Sequence, residues 1–276
     1  NTIDYNQSRY IFYSQIKEGL LDFKLDAKLD SKRQETISYF ISGSVVNAKL
    51  NIPGYQSLND LNFNFKTQDK KTIISNLNFM YQKILFSSKR LEVKGEKSGA
   101  YYVNGDLENT KALINPNLIF KLANIKQDYL SKKDILLQSK NLFSFKFNKS
   151  KKIKNFKINS VLNFDEIYFN NKYQNLIFLK DGTINSKFEN KKFSAEVDTN
   201  FAFLDDLNFK NEFKNNNLNL SLNSKNNQNI KIEGNIRNGK TLINPKIFLR
   251  LIDLDSKLLS NKKISVESDN KFKFEF

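Results

Sequence analysis

Few of the side chains that ordinarily do chemistry are present in this chain. It has no Cys, no His and no Trp. That removes thiol and imidazole nucleophiles, imidazole general bases, Cys/His zinc sites and disulfides. Two carboxylate pairs stand side by side, Asp165-Glu166 and Asp205-Asp206. An acid–base couple needs both groups aimed at one substrate. Adjacent residues on a strand point to opposite faces, so both pairs read as turn or cap carboxylates. There is no phosphate-cradling glycine loop, dinucleotide fingerprint or nucleophile elbow. The expectation is a non-enzyme with no catalytic, cofactor or metal residues.

The other candidate chemistry is aromatic and basic. Phe143-Ser144-Phe145-Lys146-Phe147 mixes rings with a cation, as single-strand nucleic-acid binders do. Those proteins need rings and cations on one face, whereas strict alternation puts Phe and Lys on opposite faces. Nucleic acid is therefore not expected as a partner. The net charge is +16. It fits an anionic partner, either nucleic acid or a membrane surface. It also fits plain codon bias, because Lys, Asn, Ile and Phe all have AT-rich codons and the lysines are scattered. The densest basic run, Lys149 to Lys154, lies between two strand-like segments and reads as a loop.

The elements that would carry such residues are mostly strands. Tyr10, Tyr13 and Ile16 have helical spacing, and Gly19 should end that short helix. Leu21, Phe23, Leu25, Ala27 and Leu29 then alternate with Asp22, Lys24, Asp26 and Lys28, which predicts a strand with one apolar and one charged face. Tyr39 to Ile52, ending at a Pro53-Gly54 turn, predicts the next. Leu61 to Phe65, Ile73 to Phe79, Lys83 to Phe86 and Leu91 to Gly95 follow. Later alternations are Phe156 to Phe164, Phe193 to Phe203, Leu218 to Leu222 and Ile230 to Ile236. The spacing implies roughly 18 strands, too many for one compact sandwich.

One stretch occurs twice. Val103 to Phe147 aligns without a gap on Ile232 to Phe276. Gly105/Gly234, Asn109/Asn238, the LINP runs at Leu113 and Leu242, Ser139/Ser268 and Asn141/Asn270 match. So do Phe143/Phe272, Phe145/Phe274 and Phe147/Phe276. A duplicated unit ending in F-x-F-x-F points to stacked β units that bury apolar faces against neighbours. After each LINP the chain can start a strand, or a helix behind an Asn cap. A strand followed by a short helix is expected.

Nearly every strand has one apolar and one polar face, and an antiparallel sheet can keep one face in water. The apolar face then either fills a core or curls into a trough that holds something apolar. The pattern alone leaves both open. No stretch approaches the ~18 apolar residues of a membrane helix. With no signal peptide and Asn1 at the start, residues 1–276 are expected to be a single segment of a longer protein.

The repeat resembles the AsmA-like proteins of Gram-negative bacteria. G-x-[LI]-x-N-x-K-x-LINP stands at Gly105 to Pro116 and at Gly234 to Pro245. The run x-[DN]-[LI]-x-x-x-[LY]-L follows at Asn124 to Leu130 and at Asp253 to Leu259. The YhdP-like branch is the nearest in pattern, through Glu18 to Phe23 and through Ile41 to Leu50 with Pro53-Gly54. The high Lys and Asn content departs from typical members. The resemblance implies an all-β chain with minor short helices, an elongated, curled antiparallel groove. It implies anchorage in the inner membrane through parts outside this segment, extension through the periplasm, and transfer of phospholipids toward the outer membrane.

On that reading the acyl chains lie against an inward face. Its expected lining is Leu21, Phe23, Leu25, Leu61, Phe63, Phe65, Phe143, Phe145, Phe147, Phe201, Phe203, Leu218, Leu220, Leu222, Phe272, Phe274 and Phe276. The alternative is a structural β-repeat domain, surface or adhesin-like, with a filled core.

Overall fold

A computed structural model describes residues 16–30, 35–51, 56–117, 133–147, 153–169, 177–204, 210–212, 216–225, 228–246 and 262–275. Among them the first six strands are β1 (Ile16–Asp30), β2 (Glu35–Leu50), β3 (Leu58–Gln68), β4 (Lys71–Tyr81), β5 (Ile84–Gly95) and β6 (Tyr101–Ile114). β7 (Ile135–Phe147), β8 (Ile153–Tyr168), β9 (Ile177–Glu189), β10 (Lys192–Leu204) and β11 (Lys210–Glu212) follow. β12 (Asn217–Lys225), β13 (Gln228–Ile243) and β14 (Ile264–Glu275) complete the set. The protein is all-β. Its strands form one antiparallel sheet in near-sequential order, β1 through β10, then β12, β13 and β14, with β11 pairing only with β10. β1 and β14 are the two ends of that path, so the sheet is not closed.

Fourteen strands are described, against roughly 18 expected from spacing over the whole chain. One difference is at β5. Lys83 to Phe86 and Leu91 to Gly95 are not separate strands, because Ser87, Ser88 and Arg90 keep pairing with β4 while β5 shifts register against β6. The helix expected around Tyr10 to Ile16 lies outside the described residues except Ile16, which opens β1. Gly19 is an interior residue of β1 and terminates nothing. The turn at Pro53-Gly54 also lies outside the described residues.

The chain divides into two compact units, Asn1–Thr110 with Lys140–Ile158, and Lys111–Ser139 with Asn159–Phe276. In the first unit β-bulges recur from strand to strand. Gly19 (φ 124°), Asn47 (φ 53°), Asp60 (φ 51°) and Asn76 (φ 53°) are left-handed, and each adjoins a register shift. A bulge opposes two residues to one and sharpens local bend and twist. It also corrects the face. Ile74 and Leu77 would point oppositely on a regular strand, but the bulge at Asn76 returns both to one side. Val45 and Ala48 are joined in the same way across Asn47. The result is a cluster of buried Ala48, Leu61 and Leu77, packed with Val45, Phe63, Ile74, Phe79 and Leu91.

Polar side chains supply the ladder bonds that these bulges interrupt. Asn62 Oδ1 accepts from the Asn47 amide at 2.9 Å, and its Nδ2 donates to the Asp60 carbonyl at 2.6 Å and to Asn78 Oδ1 at 3.1 Å. Where β5 shifts against β6, the Asp106 carboxylate accepts from the Lys89 and Arg90 amides, each at 2.9 Å.

In the second unit Asn190-Lys191 joins β9 to β10 with φ 51° and 61°, the type I′ pattern whose twist suits a hairpin. A bulge at Asp181 (φ 51°) is held by Thr199, whose hydroxyl donates toward the Lys180 and Asn200 carbonyls, each at 3.0 Å. The two LINP runs end alike. Asn115 Oδ1 accepts from the Asn117 amide and Asn244 Oδ1 from the Lys246 amide, both at 3.0 Å. Pro116-Asn117 and Lys246 are helical, so the Asn-capped helix start prevails at these residues over the strand expected there. The rest of that stretch, including Leu118 to Leu130 and Ile247 to Leu259, lies outside the described residues.

Candidate functional site

Residues directly opposite one another in an antiparallel pair share a face. In the first unit this carries an apolar file across the strands. Phe23 faces Gly43, Gly43 faces Phe65, Phe65 faces Ile74, Ile74 faces Leu91 and Leu91 faces Gly105. Beside it run Leu21, Val45 and Phe63, and on the other side Leu25 and Ile41. Leu21, Phe23 and Leu25, expected separately from alternation, therefore meet Phe63 and Phe65 on one surface.

The second unit repeats the arrangement. Ala195, Leu222, Ile232 and Phe274 form one file, and Ile184, Val197, Leu220, Gly234 and Phe272 form the next. Leu218 lies between Thr199 and Ile236 in a third. Along β7 in the first unit Phe143 stacks on Phe145 at 6.1 Å, Phe147 is tilted against Phe145 at 6.3 Å, and Tyr101 stacks on Phe147 at 5.0 Å.

Burial of these residues is uneven. Leu61 and Phe201 are buried. Phe63, Phe65, Phe143, Phe145, Phe147, Leu218, Leu220, Leu222 and Phe272 are half-buried. Leu21, Phe23, Leu25 and Phe274 are exposed, at 61%, 56%, 54% and 51%. The Phe203 backbone pairs with Ile177 in β10, but its side chain and all of Phe276 lie outside the described residues. All described strands belong to one sheet, so among the described residues no second sheet covers the apolar face of either unit.

Alternation missed the glycines. At three places a large side chain lies over a glycine of the adjoining strand, and at Gly43 the Asp22 carbonyl of β1 approaches instead, 2.2 Å from where a Cβ would stand. A Cβ at Gly105 would fall 2.2 Å from Leu91 Cδ2, and at Gly182 2.1 Å from Phe164 Cζ. At Gly234 it would fall 2.5 Å from Phe272 Cζ. The large groups are thereby seated low over the backbone of the neighbouring strand. The equivalence of Gly105 and Gly234 in the repeat was the available signal.

One expectation needs correction. The apolar residues are not confined to one face everywhere. Phe178 and Ala202 are fully buried opposite each other, with Tyr168 stacked on Phe178 at 5.0 Å. They neighbour the Leu179–Phe201 pair and so point to the reverse side. Alternation read β10 from Phe193 to Phe203 as one-sided and overlooked the small Ala202.

The polar groups form ion pairs. Asp165 pairs with Lys111 at 2.8 Å, whereas Glu166 pairs with Lys133 at 3.3 Å and accepts from the Tyr168 hydroxyl at 2.8 Å. The two carboxylates are thus used separately. Lys133 lies 3.8 Å above the Tyr168 ring. Burial opposes its charge, but Tyr168 and Glu166 outweigh that and hold its pKa above the usual value. Asp205-Asp206 lies outside the described residues, as do residues 149–152 of the basic run, while Ile153 and Lys154 open β8. A cleft of about 770 Å³ on the polar face of the second unit is lined by Lys187, Glu189, Lys192, Asn223 and Lys231 among others. Lys187 and Lys231 are already paired, with Glu189 at 3.2 Å and Glu275 at 2.9 Å. Among the described residues no group of His, Cys, Asp or Glu could hold a metal, and no helix is long and apolar enough to cross a membrane.

In comparisons with known proteins, no family model matches the chain, and neither a curated protein nor a solved structure does.

Proposed function

We propose that the chain holds phospholipid acyl chains against the apolar face of its sheet, as a non-enzymatic conduit or scaffold in lipid transfer. One observation carries this reading. Large apolar side chains are aligned strand by strand on one face of each unit, and among the described residues no second sheet covers them. An acyl chain gains ~0.8 kcal/mol for each methylene removed from water. It asks for no fixed polar partner, so continuity of the files matters more than any single contact. The charged residues on the reverse side keep that side wetted.

The resemblance of the repeat copies to AsmA-like, YhdP-like proteins supports the same reading. On it the chain is part of an inner-membrane-anchored protein that works in the periplasm of a Gram-negative envelope. Its partners are phospholipids and the two membranes, and its role is outer-membrane biogenesis. The test is direct: purify the protein without detergent, extract it, and measure bound phospholipid by mass spectrometry. Stoichiometric phospholipid is expected. A lipid-free preparation whose apolar face also fails to bind added phospholipid would overturn the proposal in favour of a structural β-repeat domain.

A further inference from the structure

β1 is an end of the sheet, and every residue from Lys17 to Leu29 is exposed. Natural edge strands are usually short, bulged, charged, proline-bearing or covered, because a bare row of N–H and C=O groups recruits another strand. β1 is 15 residues long, and Leu20 to Lys28 pair regularly with β2. No proline interrupts it. Its exposed side chains include Phe23 and four leucines besides.

The sequence of this edge is complementary to itself. Antiparallel about Leu25, the stretch from Leu21 to Leu29 sets Asp22 opposite a second copy's Lys28 and Lys24 opposite its Asp26. Leu21 meets Leu29, Phe23 meets Ala27, and Leu25 meets its own counterpart. Moving the centre by one residue, to Lys24 or Asp26, sets like charges opposite each other, which is destabilising. Centring on Phe23 or Ala27 restores opposite charges but carries the pairing toward the bulge at Gly19 or beyond Asp30. Leu25 is the centre that sets the most opposite charges against each other, Asp22 with Lys28 and Lys24 with Asp26, within Leu20 to Lys28. A two-fold axis normal to the sheet also keeps both apolar faces on the same side.

We infer that β1 is an interaction edge for a second copy of this chain, forming an antiparallel β1–β1 pair centred on Leu25. The dimer joins the apolar face of one copy to that of the other. The pairing stands on the place of β1 at the end of the described strands and on its charge pattern, and does not depend on what the face binds.

Sedimentation of the full chain across a dilution series, with charge-reversed variants, tests it. The wild type should dimerise reversibly, and more weakly as salt rises. Asp22→Lys with Asp26→Lys makes the edge uniformly basic, and Lys24→Asp with Lys28→Asp makes it uniformly acidic. Each double variant alone should lose the dimer, while a mixture of the two should recover it as a heterodimer. A wild type that stays monomeric, species that grow beyond dimers, or charge-reversed variants that dimerise like the wild type would each overturn the inference. Because the chain has no cysteine, one introduced thiol gives a second readout that needs no charge change. Leu25→Cys should yield a disulfide-linked dimer on mild oxidation, since Cα atoms opposed across a pair lie about 4.5–5.5 Å apart. Lys89→Cys, exposed on β5, should not. Equal crosslinking of both would also overturn it.

Discussion

Gly234 on β13 lies directly opposite Phe272 on β14, and the ring occupies the space that a side chain at residue 234 would need. A Cβ there would fall 2.5 Å from Phe272 Cζ and 2.7 Å from the Asn219 carbonyl oxygen. The ring can swing aside, but the carbonyl belongs to the paired backbone. Gly234→Ala should therefore destabilise by about 1–3 kcal/mol, the usual cost of overpacking. Gly43→Ala should be worse, because its nearest neighbour is the Asp22 carbonyl at 2.2 Å. Urea unfolding checks both: the midpoint should fall with the slope unchanged.

Asn238 and Ser268 face each other on the same two strands and share a hydrogen bond, Ser268 Oγ donating to Asn238 Oδ1. Asn238 is buried, as are Asn109 and Ser139, which hold these places in the other copy. The duplication thus kept polar residues at these two places in both copies. Asn238→Ala should cost about 1–3 kcal/mol, since it strips the Ser268 hydroxyl of its acceptor. The companion Ser268→Ala/Asn238→Ala should cost less than the sum of the single changes, read from the same urea midpoints in a double-mutant cycle.

Asn62 bonds to Asn47, Asp60 and Asn78 and so ties three bulged strands together. Asn62→Ala leaves the left-handed Asn47 without its amide acceptor. A loss of about 1 kcal/mol is expected. Hydrogen exchange should speed up at the Asn47 amide before it does in the regular part of β2, and unchanged protection there would count against this account.

Glu92 accepts from Lys71 at 3.0 Å and Arg90 at 3.2 Å. The Lys71 bond, followed by that from Arg90, holds the carboxyl below its ordinary pKa of 4.5. A depressed carboxylate stabilises the fold above its unfolded pKa and loses that contribution as pH falls through the folded value. Both cations are largely exposed, so the effect is about 0.2–1 kcal/mol, and smaller in salt. Thermal melts from neutral pH to below 4.5 should show Glu92→Gln less acid-sensitive than the wild type, the difference shrinking at high salt. Identical acid profiles would remove the pair from the account.

The regular strands were legible because alternation is a local signal: Leu21 to Leu29 predicts β1 and its faces without help. Breaks in alternation were not. Ser87 to Arg90 looked like a turn, yet Asp106 bonds to the Lys89 and Arg90 amides and carries β5 through. No single-strand pattern shows that the partner strand will supply an acceptor. Hairpins were equally quiet, since Gln82-Lys83 adopts φ 50° and 66° without the Asn-Gly that usually announces such a turn. The apolar residues of each strand were picked out by type, but their grouping into files needed the registers. The low seating of Phe272 and Leu91 needed the glycines opposite them.

Phe145 is the sharpest place to separate an occupied face from a filled core. It lies between Phe143, on which it stacks, and the tilted ring of Phe147, while Lys146 turns away to bond with Glu96. If the face meets lipid, Phe145→Asp puts a charge where acyl chains pass and leaves the ladder intact. Bound phospholipid should then fall severalfold while the circular dichroism stays that of the wild type. If the three rings are instead the inside of a core, the same charge is buried without a partner and the protein should unfold. Phe145→Leu keeps the surface apolar and should retain lipid in the first case. A Phe145→Asp protein that is folded and still fully loaded would mean that this stretch of β7 is no part of the lipid path.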